Sequence, residues 1–299
     1  MTCINGTTPI DINISNVVNN CDLKCNYNFK YSNVNPILQN NNEYLKLSYE
    51  NTSRDIVSYN THEYFVKEIR IYTPSLHSYN SIKTEGEMII IHGCDLGQPD
   101  LLVCVPIKIN GTNIIGYEIL KKIIETASIS TPTTNISTTL NNTQFNLSSF
   151  IPTKTPFYTY SGTLPYQPCN LKVDFVVFSV VNTSINIDME SLKKLKQIIV
   201  SNEYDIKKGN NLFYNSMGGN VNTNLSLGDN NEIYIDCQPT DISEEEKEVI
   251  VEEYSTTPIT LESILSNKYF EILIYTLIIF IIIFIFYSIL QNINIPLNN

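Results

Sequence analysis

Along most of the chain, apolar and polar residues alternate in short runs that end at Asn, Gly, Pro or Ser. Glu43–Tyr49, Tyr64–Tyr72, Glu87–His92, Leu101–Ile109, Val173–Val181 and Asn231–Cys237 all carry the pattern. A period of two, bounded by turn residues, predicts β-strands. The period changes twice. In Gly116–Ala127 and Asp188–Ser201 apolar residues recur at three and four, which predicts helices. Ser128–Ser149 is rich in Ser, Thr and Asn and reads as a mobile surface loop. The fold class expected is mostly β: a large sheet with few, peripheral helices.

A different pattern closes the chain. Ile272–Leu290 runs without a charge, and about 20 apolar residues suffice to cross a bilayer as a helix. Tyr269, Tyr275 and Tyr287 near its ends fit interfacial anchoring. The first fifteen residues carry neither a basic nor an apolar leader region, so no cleaved signal peptide is visible. The expected organisation is an ectodomain over 1–237, an acidic stalk over 238–268, a transmembrane helix over 269–290 and a short tail over 291–299. The membrane is thus the first partner, with the N-terminal domain displayed on its surface.

Composition refines this. The net charge is −11, of which Asp241–Glu253 alone contributes −6; a mildly acidic body does not suit a generic nucleic-acid binder. Asn and Ile are abundant, as an AT-rich genome would give. Nine Asn-x-Ser/Thr sequons occur, at Asn5, Asn13, Asn51, Asn110, Asn135, Asn141, Asn146, Asn182 and Asn224; they acquire meaning only if the domain passes through a secretory lumen. Seven cysteines permit disulfides without pairing fully within one chain. Cys21 and Cys25 have a spacing that suits zinc, yet no second close pair follows.

Glu87–His92 poses a chemical question. Alternation puts Glu87 on the face of Ile89 and His92 on the other, yet a buried carboxylate without a partner costs several kcal/mol. Thr159–Ile198, together with Thr7–Ile12, Tyr64–Tyr72 and Glu87–His92, resembles the α-carbonic anhydrase family in order and spacing. The resemblance implies a large twisted mixed sheet. In the family, two His at i and i+2 on one strand and a third on its neighbour hold a catalytic zinc; the matching positions here are Arg70, Tyr72 and Ile89. The Thr that orients zinc-bound hydroxide matches Pro165, and its Glu partner matches Leu76. The supporting polar residues remain as His77, Glu87 and Tyr160. By the same resemblance Cys3 and Cys169 form a disulfide.

No zinc, no other cofactor and no catalytic residue is therefore expected. His77 is expected in the core, His92 on the opposite face, and His62 before its strand. The C-terminal span and Phe150–Thr163 are similar to the carbonic-anhydrase-like envelope proteins of poxviruses, which implies a virion membrane protein that attaches to a host-cell glycan or protein. Lys193, Lys194, Lys196, Lys207 and Lys208 make the basic cluster an anionic glycosaminoglycan would need, although a solvated helix face explains the same lysines. Two rivals remain: a structural virion membrane protein without a ligand, and a zinc enzyme, a carbonate dehydratase, with non-standard ligands.

Overall fold

The period-two runs become the spine of one mixed sheet. The computed structural model describes residues 3–219 apart from 4, 23, 50–55, 95–96, 135, 142–144, 152, 202–203 and 209–210; for Ile56 and Asn182 it describes the backbone alone. The principal strands are β1 (Ile37–Asn40), β2 (Leu45–Ser48), β3 (His62–Tyr72), β4 (Gly86–Gly93), β5 (Asp100–Ile109), β6 (Phe157–Thr163), β7 (Lys172–Phe178), β8 (Ile185–Ile187) and β9 (Leu212–Asn215). Among the described residues they belong to a 13-stranded sheet whose main path runs Ser137–Thr139, β1, β2, β3, β4, β5, β7, β6, β9, Val17–Asn20. Pairing is antiparallel except where β5 meets β7 and β8, and where β9 meets Val17–Asn20.

Burial explains why the central strands read as nearly unbroken apolar runs. All eight residues of β4 are buried, because both faces of the sheet are covered. Met88 and Ile90 enter one core layer with Leu101, Val103 and Val105. Ile89 and Ile91 enter a second layer with Leu102, Cys104, Phe175 and Val177. Two helices, α1 (Ile114–Ser130) and α2 (Met189–Ile198), close the first layer with Leu120, Ile123, Ile124, Leu192 and Leu195; each such side chain contributes about 2 kcal/mol through burial. Asn113 and Asp188 cap them, accepting from the backbone N–H of Gly116 and Ser191.

Pro106 sits within β5, where a missing N–H would ordinarily break a central strand. It falls in a gap. β7 pairs with β5 as far as Cys104, and β8 resumes the pairing at Ile107. The chain between them turns through a single helical segment, Val180–Thr183. The strand expected over Val173–Val181 therefore ends at Phe178, since Ser179 caps that turn.

The stretch Ser128–Ser149 also differs from expectation. α1 continues to Ser130, Ser137–Thr139 pairs with β1, and Phe145 and Leu147 are fully buried. With Leu140, also buried, these apolar anchors outweigh the polar composition. His62 is the first residue of β3, paired with Tyr59, rather than preceding the strand.

The chain divides into two units, Met1–Asn230 and Asn231–Asn299. The expected strand Asn231–Cys237, the stalk and the apolar run Ile272–Leu290 lie outside the described residues. No helix among the described residues is long and apolar enough to cross a membrane.

Candidate functional site

Strand register assembles the site. β3 and β4 pair antiparallel with Arg70 opposite Ile89 and Tyr72 opposite Glu87. Directly opposed residues share a face, so all four look into the second core layer.

Glu87 is fully buried and fully partnered. Its Oε2 accepts from the backbone N–H groups of Leu76 (2.8 Å) and His77 (3.0 Å), and its Oε1 from His77 Nδ1 (2.7 Å) and the Tyr79 hydroxyl (3.0 Å). Burial pushes the carboxyl up, but the charge and hydrogen bonds of His77 and the Tyr79 hydroxyl hold it below its ordinary value. A carboxylate only accepts, so Nδ1 of His77 carries the hydrogen, and Nε2 meets the Tyr160 hydroxyl at 2.7 Å. The turn between β3 and β4 aims the two N–H groups: Lys83 Nζ donates to the carbonyls of Ser75 and Leu76, and Ser75 Oγ to that of His77. His77, Glu87 and Tyr160 are thus brought together in one hydrogen-bonded group. Tyr79 was not foreseen, because its eight-residue offset from Glu87 spans an irregular turn.

Arg70 is held by a second arrangement. Its Cζ lies 4.0 Å from the ring centre of Tyr166 and 4.6 Å from that of Tyr44. Nε donates to Glu68 Oε1 at 2.6 Å, and Nη2 pairs with the same oxygen. Lys46 Nζ meets Glu68 Oε2 at 2.8 Å. Burial would raise the Glu68 carboxyl, but Lys46 and Arg70 hold it below its usual range. Nη1 contacts the Tyr72 hydroxyl at 3.4 Å. In the same core layer Tyr72 is 2% exposed, Ile89 and Leu76 0% and Tyr204 4%. Glu68 and Arg70 share a strand face at i and i+2, a signal present in the sequence; Tyr44 and Tyr166 carry no such signal.

One further group stands out on this face. Ligand-type atoms of His77, Glu87 and Cys104 lie within 4.8 Å of one another. Both carboxylate oxygens and both ring nitrogens are already hydrogen-bonded, and burial pushes the Cys104 thiol up, away from the thiolate a metal takes.

His92 faces the first layer, opposite Ile89. Nδ1 donates to the Leu101 carbonyl (3.3 Å), so Nε2 accepts from the Tyr31 hydroxyl (2.9 Å), which in turn accepts from Tyr27 (2.9 Å). Burial pushes His92 down to about 4, against the opposing effect of backbone hydrogen bonds.

Lys193 and Lys196 are exposed on α2, and Lys194 pairs with Glu190 at 2.8 Å. α2 packs on the first layer, whereas Lys207 is bonded through its backbone N–H to Pro9, beside Ile10 of the second layer. Cys3 and Cys169 are disulfide-bonded across a sequence separation of 166, with Cα atoms 5.5 Å apart. Cys21 and Cys25 are also bonded to each other, which removes them as zinc ligands. Cys94 and Cys104 are free thiols.

The sequence profile of eukaryotic-type carbonic anhydrases matches residues 3–216. No curated protein matches the sequence. Among solved structures, an α-carbonic anhydrase from Thermovibrio ammonificans bound to sulfanilamide aligns with a TM-score of 0.55 and 20% identity, over 70% of this chain and 86% of that one. A carbonic anhydrase from Chlamydomonas reinhardtii bound to acetazolamide aligns at 0.58 and 15%, over 70% and 90%. Dioscorin complexed with ascorbate aligns at 0.56 and 18%, over 70% and 85%.

Proposed function

Because this chain belongs to the eukaryotic-type carbonic anhydrase family, we propose that it keeps the fold as a binding and display domain and has given up zinc and carbon dioxide hydration. One observation carries the reading: at the floor of the second layer a guanidinium is clamped between Tyr44 and Tyr166 and ion-paired to Glu68. The donor set matched to zinc is Arg70, Tyr72 and Ile89, and it does not fit the metal. A guanidinium has no lone pair to offer, burial pushes the Tyr72 phenol well above its ordinary value, and isoleucine has no donor atom. Pro165 and Leu76 offer neither the hydroxyl nor the carboxylate that orients the family's nucleophile. Without a metal to lower a water pKa to about 7, hydration lacks that nucleophile.

A zinc enzyme with non-standard ligands would draw on His77, Glu87 and Cys104, but a lone pair taken from Glu87 costs the buried carboxylate a hydrogen bond, and one taken from His77 Nε2 costs the bond to the Tyr160 hydroxyl. Zinc titration of the native chain and of the variant Arg70→His, Tyr72→His, Ile89→His separates the readings. We expect no binding by the native chain and tight binding by the triple variant, with little hydration. Stoichiometric zinc in the native chain overturns the proposal.

The same reading extends to location and partner: a C-terminally anchored surface protein of a virion, attaching to a host-cell ligand. Its support is the apolar run Ile272–Leu290, the likeness of Phe150–Thr163 to the poxvirus envelope relatives, and the exposed Lys193 and Lys196. If attachment uses a sulfated glycan, heparin affinity falls in Lys193→Ala and Lys196→Ala; absence of retention by the native chain favours the purely structural virion role.

A further inference from the structure

The asparagines of three described sequons, Asn13, Asn110 and Asn146, are not buried, and their atoms differ in what they are free to do. N-glycosylation replaces one of the two hydrogens on the amide nitrogen of Asn and leaves its oxygen. Both hydrogens of Asn146 Nδ2 are in use, one to the Tyr31 carbonyl at 3.0 Å and one to Asn33 Oδ1 at 2.8 Å, so a sugar there must displace one of those bonds. Asn13 uses only Oδ1, accepting from the N–H and hydroxyl of Ser15. Asn110 is different. It is exposed, it occupies a left-handed turn position with φ +61°, and no described residue bonds its side chain.

The rest of that sequon points the same way. Lys108 and Gly111 close the turn by a backbone bond of 3.0 Å, putting Asn110 at its third position, the one that needs positive φ. A Cβ on Gly111 would come within 2.7 Å of the Asn186 nitrogen, so the middle residue is dictated by packing. Thr112 is exposed, with no hydrogen bond to a described residue. Neither turn geometry nor packing asks for a hydroxyl at Thr112. The Cys3–Cys169 and Cys21–Cys25 bonds belong to proteins that mature in an oxidising compartment, where lipid-linked oligosaccharide donors also reside.

We propose that Asn110 is an N-glycosylation site and that Asn146 is not. The C1–O bond between the oligosaccharide and its lipid diphosphate carrier breaks, a C1–N bond to Asn110 Nδ2 forms, and the amide loses one proton as the lipid diphosphate departs. The inference does not depend on the loss of zinc or on a host ligand.

The test is occupancy mapping of the full chain expressed in eukaryotic cells, with peptide-N-glycosidase release in heavy-oxygen water and peptide mass spectrometry. Asn110 is expected to be converted to labelled Asp and Asn146 to remain unlabelled. Thr112→Ala keeps the left-handed Asn and the turn, and it should abolish the label at 110 while leaving the unfolding temperature of the enzymatically deglycosylated protein unchanged. An unlabelled Asn110 in the native chain overturns the proposal whatever the state of the disulfides, and so does labelling of Asn146 equal to that of Asn110.

Discussion

Glu87 and His92 stand five residues apart on one strand, and each is a buried titratable group with a different solution to burial. Glu87 stays charged because four donors converge on it. Replacing it with Gln turns an amide NH₂ toward N–H and O–H donors, and breaking a buried pair of this kind costs about 3 to 5 kcal/mol. Glu87→Gln should therefore lower the unfolding temperature by roughly 10 °C, measurable by circular dichroism; an unchanged midpoint would refute the assigned network. His92 stays neutral. Its folded value of about 4 lies below the ordinary 6.5, so between those values the unfolded chain binds more protons than the native one. Stability from this residue is complete above pH 6.5 and is lost as pH falls toward 4, by up to about 3 kcal/mol. Urea melts at pH 7 and pH 4.5 should show this loss in the native chain and a shallower one in His92→Phe.

At the scale of elements, register and caps decide what the strands and helices present. Gly86 begins β4 against β3, and a Cβ there would lie 2.5 Å from the Tyr72 carbonyl. The clash is with backbone, so Gly86→Ala must spread the two strands that carry Tyr72 and Glu87, at a cost of about 1 to 3 kcal/mol. Equilibrium denaturation with a midpoint equal to the native one would falsify that packing. Asn113 caps α1 with Oδ1 and sends Nδ2 to the carbonyls of Ser149 and Phe150. Asn113→Ala loses both, and about 1 to 2 kcal/mol is expected. The helices themselves were legible from their apolar spacing. Their neighbour Ser128–Ser149 reads as a loop in sequence, because Leu140, Phe145 and Leu147 are too few to outweigh a polar composition until the core they enter is known.

Across the whole molecule, the Cys3–Cys169 bond ties the N-terminal arm to the sheet by closing a loop of 166 residues. On the chain-entropy model a loop of that length restricts the unfolded state by roughly 4 to 5 kcal/mol. Cys3→Ser with Cys169→Ser should approach that loss in chemical denaturation, and a loss below about 1 kcal/mol would show that the arm is held by other means. Removal of the chain from Ile272 onward should leave a soluble, folded protein, as gel filtration would report, since every core residue identified lies before that run.

Much of this protein follows from sequence alone: the strands from their period of two, the helices from their period near four, and the placement of Glu87 and His92 on opposite faces from alternation within one strand. These are local properties, fixed by backbone geometry over a few residues. The partners of those residues are not local. Tyr44 and Tyr166 enclose Arg70 from distant segments, and Tyr31 reaches His92 from 61 positions away. Cys21 and Cys25 bond to each other, although their spacing could also suit a metal. Such choices depend on strand register and on which loop crosses which face. Tertiary structure decides them, because a side chain's charge state and partner are set by the groups that exclude water from it.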